Sequence, residues 1–276
     1  MPVVVVTDSS ARIPAEMLVE CGIAVVALHI LIDGRDLRDG VDDVPPDLYQ
    51  RPASTAGASP AELAAAYRAA LERSGGDGVV AVHLSAELSS TIGSAQHAAA
   101  QFDGRVQVID SRSAAMGTGF VALAAARAAQ SGAALDDVAD AARDTAQRTH
   151  AFIVVQRLEN LRRSGRITAA ASWLGTALAL KPLLRIADGH LVPAQRIRTT
   201  SKAVAAMVEQ VLEVVGEGRA ALAVHHVDNP AGAADLAATL SAALPACGPA
   251  IVTELGPVLG VHLGPGALGV VVALEA

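Results

Sequence analysis

Short aliphatic runs and helix-forming stretches alternate along the first half of this chain, and that alternation restricts the fold more than any single motif. Residues 3–6 read as a buried strand ending at Thr7-Asp8-Ser9-Ser10. A short helix over 14–21 and a second strand over 23–32 follow. Ser59 as N-cap and Pro60 at the first helical position open a helix over 60–74. A strand over 78–84, a helix over 89–101, a strand over 106–109 and helices over 116–131 and 135–149 complete this half. Parallel strands need a crossover between them, usually a helix. The first half is therefore expected to form a mostly parallel sheet flanked by helices on both faces.

The second half has a different pattern. A strand over 151–155 leads to a short helix over 157–163, broken at Gly165-Arg166, and then a helix over 169–178. Asp188-Gly189 between two apolar runs predicts a hairpin over 181–195. Helices over 201–215 and 231–244 alternate with strands over 220–225, 251–254 and 270–274. A hairpin belongs to a mixed or antiparallel sheet, so two α/β domains are expected, 1–152 and 153–276, without a flexible linker.

Of the 276 residues 52% are apolar but only 2% aromatic. The core is therefore built from Ala, Val, Leu and Ile, with few platforms for stacking bases. The net charge of -7 also opposes a phosphate backbone, so no nucleic-acid partner is expected. Two cysteines, Cys21 and Cys247, make no disulfide framework and fit a reducing cytoplasm. Residues 3–6 lack the basic flank and length of a secretion signal. The longest weakly polar stretch, 167–180, is shorter than the ~20 residues of a membrane helix. The reading is a soluble chain without stable membrane insertion.

Two polar segments stand out against this background. Ser85, Ser89, Ser90 and Thr91 sit where a strand gives way to a helix, a place where backbone N–H groups and the helix dipole attract anions. Capping alone needs one such hydroxyl. Thr55 could add another, while Ser59 is the cap of its own helix. The second segment carries His262 in what reads as a glycine-rich loop, followed by Gly264-Pro265-Gly266. Hydroxyls and an imidazole around one anionic head group, with apolar walls behind, suit a carboxylate with a long aliphatic tail.

Other motifs carry plainer alternatives. Thr7-Asp8-Ser9-Ser10 lies at a strand's C-terminal end, where α/β sheets bind ligands, but an Asx-turn or cap accounts for it equally. Gly117-Thr118-Gly119-Phe120-Val121-Ala122 matches a dinucleotide pattern, yet lies too far from its strand for the tight turn. His225, His226 and Asp228 hint at a metal; a strand end with Asn229 as the next helix cap is the better reading, and no metal is expected. Arg157, Arg162, Arg163 and Arg166, with Arg196 and Arg198, could dock an acidic partner or a phosphorylated ligand, or form a solvated face.

Taken in order, these segments resemble the DegV family of fatty-acid-binding proteins, which includes the B subunit of bacterial fatty acid kinase. The resemblance runs through Thr7-Asp8-Ser9-Ser10, Asp39-Gly40-Val41-Asp42, Leu88-Ser89-Ser90-Thr91, Val108-Ile109-Asp110-Ser111 with Met116-Gly117, Leu158-Glu159-Asn160-Leu161 with Gly165-Arg166-Ile167, Lys181-Pro182, and His262 with Gly264-Pro265-Gly266. It implies a long-chain fatty acid enclosed between two domains, its carboxylate held at Thr55, Ser89 and His262. Ser90, Arg166, Arg198 and Gly264 are further positions for ligand, phosphate or partner contacts. It also implies an ATP-dependent kinase partner that phosphorylates the carboxylate, so that this chain presents substrate and has no catalytic residue or cofactor beyond the bound lipid. The family pattern Thr-Ser-Gln-Pro-Ser is Thr55-Ala56-Gly57-Ala58-Ser59 here, and Leu-Ser-Gly-Thr is Leu88-Ser89-Ser90-Thr91.

Two other functions compete. Ser89 and His262 with Asp8 or Asp110 supply the parts of an acyl hydrolase, although no G-x-S-x-G elbow is present. A nucleotide-binding regulator rests on the glycine patterns alone. Tail contacts are expected from Trp173-Leu174-Gly175-Thr176-Ala177-Leu178-Ala179-Leu180.

Overall fold

The computed structural model describes residues 2–167 and 180–275. The chain begins β1 (Val4–Asp8), α1 (Ala15–Cys21), β2 (Ala24–Val26), β3 (His29–Ile32), β4 (Arg35–Arg38), β5 (Ala53–Ala56) and α2 (Pro60–Arg73). It continues β6 (Val79–His83), α3 (Thr91–Ala99), β7 (Val106–Asp110), α4 (Met116–Gln130), α5 (Leu135–Gln147), β8 (Thr149–Val154) and α6 (Glu159–Arg163). It ends β9 (Leu183–Ala187), β10 (His190–Gln195), α7 (Thr200–Val215), β11 (Ala220–His226), α8 (Pro230–Ala243), β12 (Ile251–Glu254), α9 (Gly256–Leu263) and β13 (Leu268–Leu274).

The expected parallel sheet has the order β2-β1-β6-β7. Its strands read as continuous aliphatic runs because both faces are covered. Val4, Val6, Val79 and Ala81 pack with Leu63 and Tyr67 of α2 and Ala95 of α3. Val3, Val5, Val80 and Val82 pack with α4 and α5. A mixed sheet of order β10-β9-β8-β13-β11-β12 forms from the second half. Its hairpin turns at Asp188-Gly189 with φ of 51° and 82°, the left-handed pair this two-residue turn requires. The outer face of this sheet, with Phe152, Leu222, Val270 and Val272, is covered by α7 and α8.

The inner face of the mixed sheet meets α4. Val271, Ala273 and Ala223 share a core with Met116, Phe120 and Leu123. A helix packed between two sheets is apolar over most of its surface, and α4 is: eleven of its fifteen residues are buried, and only its last turns expose Arg127 and Gln130. Its glycines are packing residues. A Cβ on Gly117 would lie 2.0 Å from Ser113 Oγ, and one on Gly119 2.8 Å from the Ala11 carbonyl. The dinucleotide-like pattern is thus explained by close approach of helix and loop.

Residues 23–32 do not form one strand. The chain leaves the parallel sheet after Val26, and Leu28 is held by Ser9 Oγ on its N–H (3.0 Å) and by the Asp39 N–H on its carbonyl (2.8 Å). β3 then joins a small antiparallel sheet of order β4-β3-β5 through a turn at Asp33-Gly34 (φ 50° and 72°). The predicted loop around His262 is the C-terminal turn of α9. The predicted helix over 169–178 and most of the proposed tail-contact run lie outside the described residues.

The helix ends follow the sequence. Ser59 Oγ accepts the Glu62 N–H (3.3 Å) while the Ser59 N–H donates to Glu62 (2.8 Å), a reciprocal capping box. Ser59→Ala is expected to cost about 0.5–2 kcal/mol. Urea unfolding should show a lower midpoint at unchanged slope; an unchanged midpoint would contradict this role.

Candidate functional site

A cavity of about 430 Å³ lies beside β5, the start of α3, α9 and the inner face of the mixed sheet. Most of its wall is aliphatic: Leu28, Leu84, Leu88, Leu161, Ile186, Leu191, Leu255, Val258, Leu259 and Leu263 among others. Ala56, Ala58, Ala114, Ala115 and Ala151 keep it open by their small size. Ala115 holds φ 53° and ψ -142°, a conformation that glycine adopts far more readily. The cavity wall therefore carries backbone strain next to the first turn of α4.

Polar groups gather where β5, α3 and α9 converge. Thr55 Oγ1 on β5 lies 2.8 Å from His262 Nε2 on α9, a bond between residues 207 positions apart. Ser89 Oγ lies 2.8 Å from Thr91 Oγ1 and accepts the Thr91 N–H (3.2 Å), just before the N-terminus of α3. Arg166 donates through Nε to the Leu88 carbonyl (3.3 Å) and through Nη1 to the Ser164 carbonyl, which fixes its guanidinium beside this group. Gly57 lets the β5 backbone come close: a Cβ there would lie 2.7 Å from Thr91 Oγ1. Thr55, Ser89, Ser90, Arg166 and His262 all line the cavity.

Arg166 supplies the positive charge of this wall. Burial, and then the nearby Arg166 charge, push the His262 imidazole down to about 4. It is neutral near pH 7, and its buried Nδ1 has no hydrogen-bond partner among the described residues. Such an atom costs free energy until a ligand or water satisfies it. Thr55, Arg166 and His262 also border a surface cleft lined by Ser54, Asn160, Arg163 and Ser164. This polar wall is thus shared by an inner cavity and an outer cleft.

Other predicted residues are placed elsewhere. Arg198 is exposed after β10, and Gly264 is the buried C-cap of α9 (φ 78°), and neither lines the cavity. Ser85 Oγ donates to the Gly189 carbonyl (2.8 Å), tying the hairpin turn to the end of β6. Asp8 is fully buried and accepts from the N–H groups of Ser10 and Leu84 (both 3.1 Å) and from His83 Nδ1 (3.0 Å). His83 Nε2 pairs in turn with the Tyr67 hydroxyl (2.9 Å). Asp110 accepts from the Arg112 and Ala86 N–H groups. The serine, the histidine and the two acids of a hydrolase therefore belong to separate hydrogen-bond networks.

His226 Nδ1 accepts the Asn229 N–H (3.3 Å), and Asn229 caps α8 through the Gly232 N–H (3.2 Å). Among the described residues no group of three or more His, Cys, Asp or Glu side chains could hold a metal. No described helix is long and apolar enough to cross a membrane. His225 is a wall residue that the sequence reading did not assign to the site, having weighed it only for a metal; only its place on a strand facing α4 reveals it.

A family model described as "Uncharacterised protein, DegV family" matches residues 2–275. A DegV domain-containing protein of Mycobacterium tuberculosis is 59% identical over 276 residues, covering 100% of this chain and 99% of that protein. The crystal structure of a DegV family protein from Corynebacterium glutamicum superposes with a TM-score of 0.89 at 37% identity, covering 100% of this chain and 99% of that one. A Thermus thermophilus structure described as fatty acid binding of a DegV family protein gives 0.90 at 31% identity, with 100% of both chains covered.

Proposed function

The chain belongs to the DegV family, and from that premise we propose that it binds a long-chain fatty acid between its two domains, 1–152 and 153–276. The observation that carries this reading is the Thr55–His262 pair beside Ser89 at the polar end of one aliphatic cavity. The carboxylate is held at Thr55, Ser89 and His262: Ser89 and the otherwise unpartnered Nδ1–H of His262 donate to it, and the Thr55 hydroxyl fixes the ring by donating to Nε2, with the dipole of α3 and the Arg166 charge behind them. The tail runs along the aliphatic wall and gains about 0.8 kcal/mol per methylene removed from water. That gain matters because a buried carboxylate is costly unless it is fully hydrogen-bonded.

The outer cleft suits presentation rather than chemistry by this chain alone. A kinase reaching Thr55, Arg166 and His262 from that side would meet the carboxylate without opening the tail pocket. Arg166 and the exposed Arg198 then serve the phosphoryl group or the partner, and Ser90 and Gly264 shape the head-group surround. On this reading the protein works in the cytoplasm, binds a lipid rather than a cofactor, and passes an acyl phosphate onward.

The test is mass spectrometry of an organic extract of the purified protein beside a matched control protein. A near-stoichiometric fatty acid is the expected result. A folded protein that carries no lipid and acquires none from added fatty acids would overturn the reading.

A further inference from the structure

The floor of the cavity is a row of residues in register across the mixed sheet. Ile153 of β8 pairs with Gly269 of β13, Gly269 with His225 of β11, and His225 with Thr253 of β12. Alternation along each strand puts all four on the face that carries Ala223, Val271 and Ala273. Ile153, Gly269 and His225 line the cavity. Thr253 instead lines a second cleft, whose wall mixes Asp8, Arg12 and Asp39 with Ile13, Leu18 and Val25. The His225 imidazole therefore stands as the partition between the cavity and this second cleft.

It is fixed there on both sides. Nε2 lies 3.2 Å from the Met116 N–H, and Nδ1 2.9 Å from Thr253 Oγ1. A backbone N–H only donates, so Nε2 is the acceptor and the proton sits on Nδ1, facing Thr253. With both nitrogens used, the ring leaves only its carbon edge for the cavity. The residue is 1% exposed. Gly269 has no side chain and leaves room over the row between Ile153 and the imidazole.

We propose that His225 is the stop of the acyl pocket: the methyl end of the chain rests against its ring, and its position sets the longest acyl chain bound. A methyl pushed past it would have to displace a buried ring held by hydrogen bonds at both nitrogens, to the Met116 N–H and to Thr253. The inference rests on the fatty-acid reading and adds the determinant of length to it.

The experiment measures affinities for saturated fatty acids of increasing length, by displacement of a fluorescent fatty acid, in the wild type, His225→Ala and Gly269→Ala. Melting curves report whether each variant is folded. His225→Ala should move the optimum to longer acids, changing the long-to-short affinity ratio about tenfold, the effect of about two methylenes. Gly269→Ala puts a methyl over the row, 3.2 Å from the Phe152 carbonyl, and should move the optimum to shorter acids. A crystal structure of the wild-type complex should show the terminal methyl against His225, a readout that stands even where His225→Ala does not fold. Binding with unmoved profiles in the folded variants, or a methyl end seated elsewhere, overturns the inference alone. No fatty-acid binding by the wild type overturns the functional reading and this inference with it.

Discussion

Replacing Ser89 and His262 together by alanine is expected to weaken fatty-acid binding by about a hundredfold or more. A hydrogen bond to a charged group contributes about 1.5–3 kcal/mol, and two lost bonds that share one carboxylate are not additive. A net loss of about 3 kcal/mol corresponds to that factor. The variant also changes the site before ligand arrives. Without His262, Thr55 Oγ1 loses the partner 2.8 Å away, and without the Ser89 hydroxyl the Thr91 N–H at the start of α3 loses its acceptor. Melting curves must therefore accompany the displacement assay. Thr55→Val removes the third head-group residue and should weaken binding less, because the imidazole remains. A folded double variant with wild-type affinity would sink the head-group assignment and leave the tail pocket as the source of binding.

How much of this was legible in the sequence depends on which forces are local. The β1, β6 and β7 runs, the Ser59-Pro60 start of α2 and the Asn229-Pro230 start of α8 rest on caps and continuous apolar runs, which neighbouring residues alone reveal. The hairpin at Asp188-Gly189 was legible because the dipeptide fixes the turn. Asp33-Gly34 makes the same turn, but the apolar stretch before it, broken only by His29, concealed the switch from the parallel sheet to the small antiparallel one. That switch is made by Ser9 and Asp39 holding Leu28, which are tertiary bonds. α9 was hidden for another reason. Gly260 and Gly256 look like loop residues, yet a Cβ at Gly260 would lie 2.4 Å from Tyr49 Oη, so the glycine serves packing inside a helix. Thr55, Ser89 and His262 were legible as types of residue; their convergence on one cavity needed β5 and α9 to be placed.

Lowering the pH from about 6.5 to 4 is expected to cost this protein on the order of 5 kcal/mol of stability. Burial pushes His225 down to about 3, and burial followed by the Arg166 charge pushes His262 down to about 4. In that window the imidazoles of the unfolded chain take up protons while the folded ones stay largely neutral until the pH nears 4. The unfolded state therefore binds more protons, and stability falls as the pH falls. His150, also lowered by burial, acts in the same direction. Asp39 opposes them. Burial, only partly offset by Arg12 with Nη1 3.7 Å away, raises its carboxyl, so the folded state gains a proton earlier than the unfolded chain. Glu62 and Asp42, held low by Ser59 and Arg38, add a further loss only below the ordinary carboxylate range. Urea unfolding of lipid-free protein at several pH values reads the balance. Asp39→Asn should steepen the fall and His262→Gln should flatten it, since the first removes the opposing carboxyl and the second one of the two strongly lowered imidazoles. A stability that stays level from pH 7 to 5 would mean that the two histidines are not held neutral, and that His225 and His262 are more hydrated than their burial indicates.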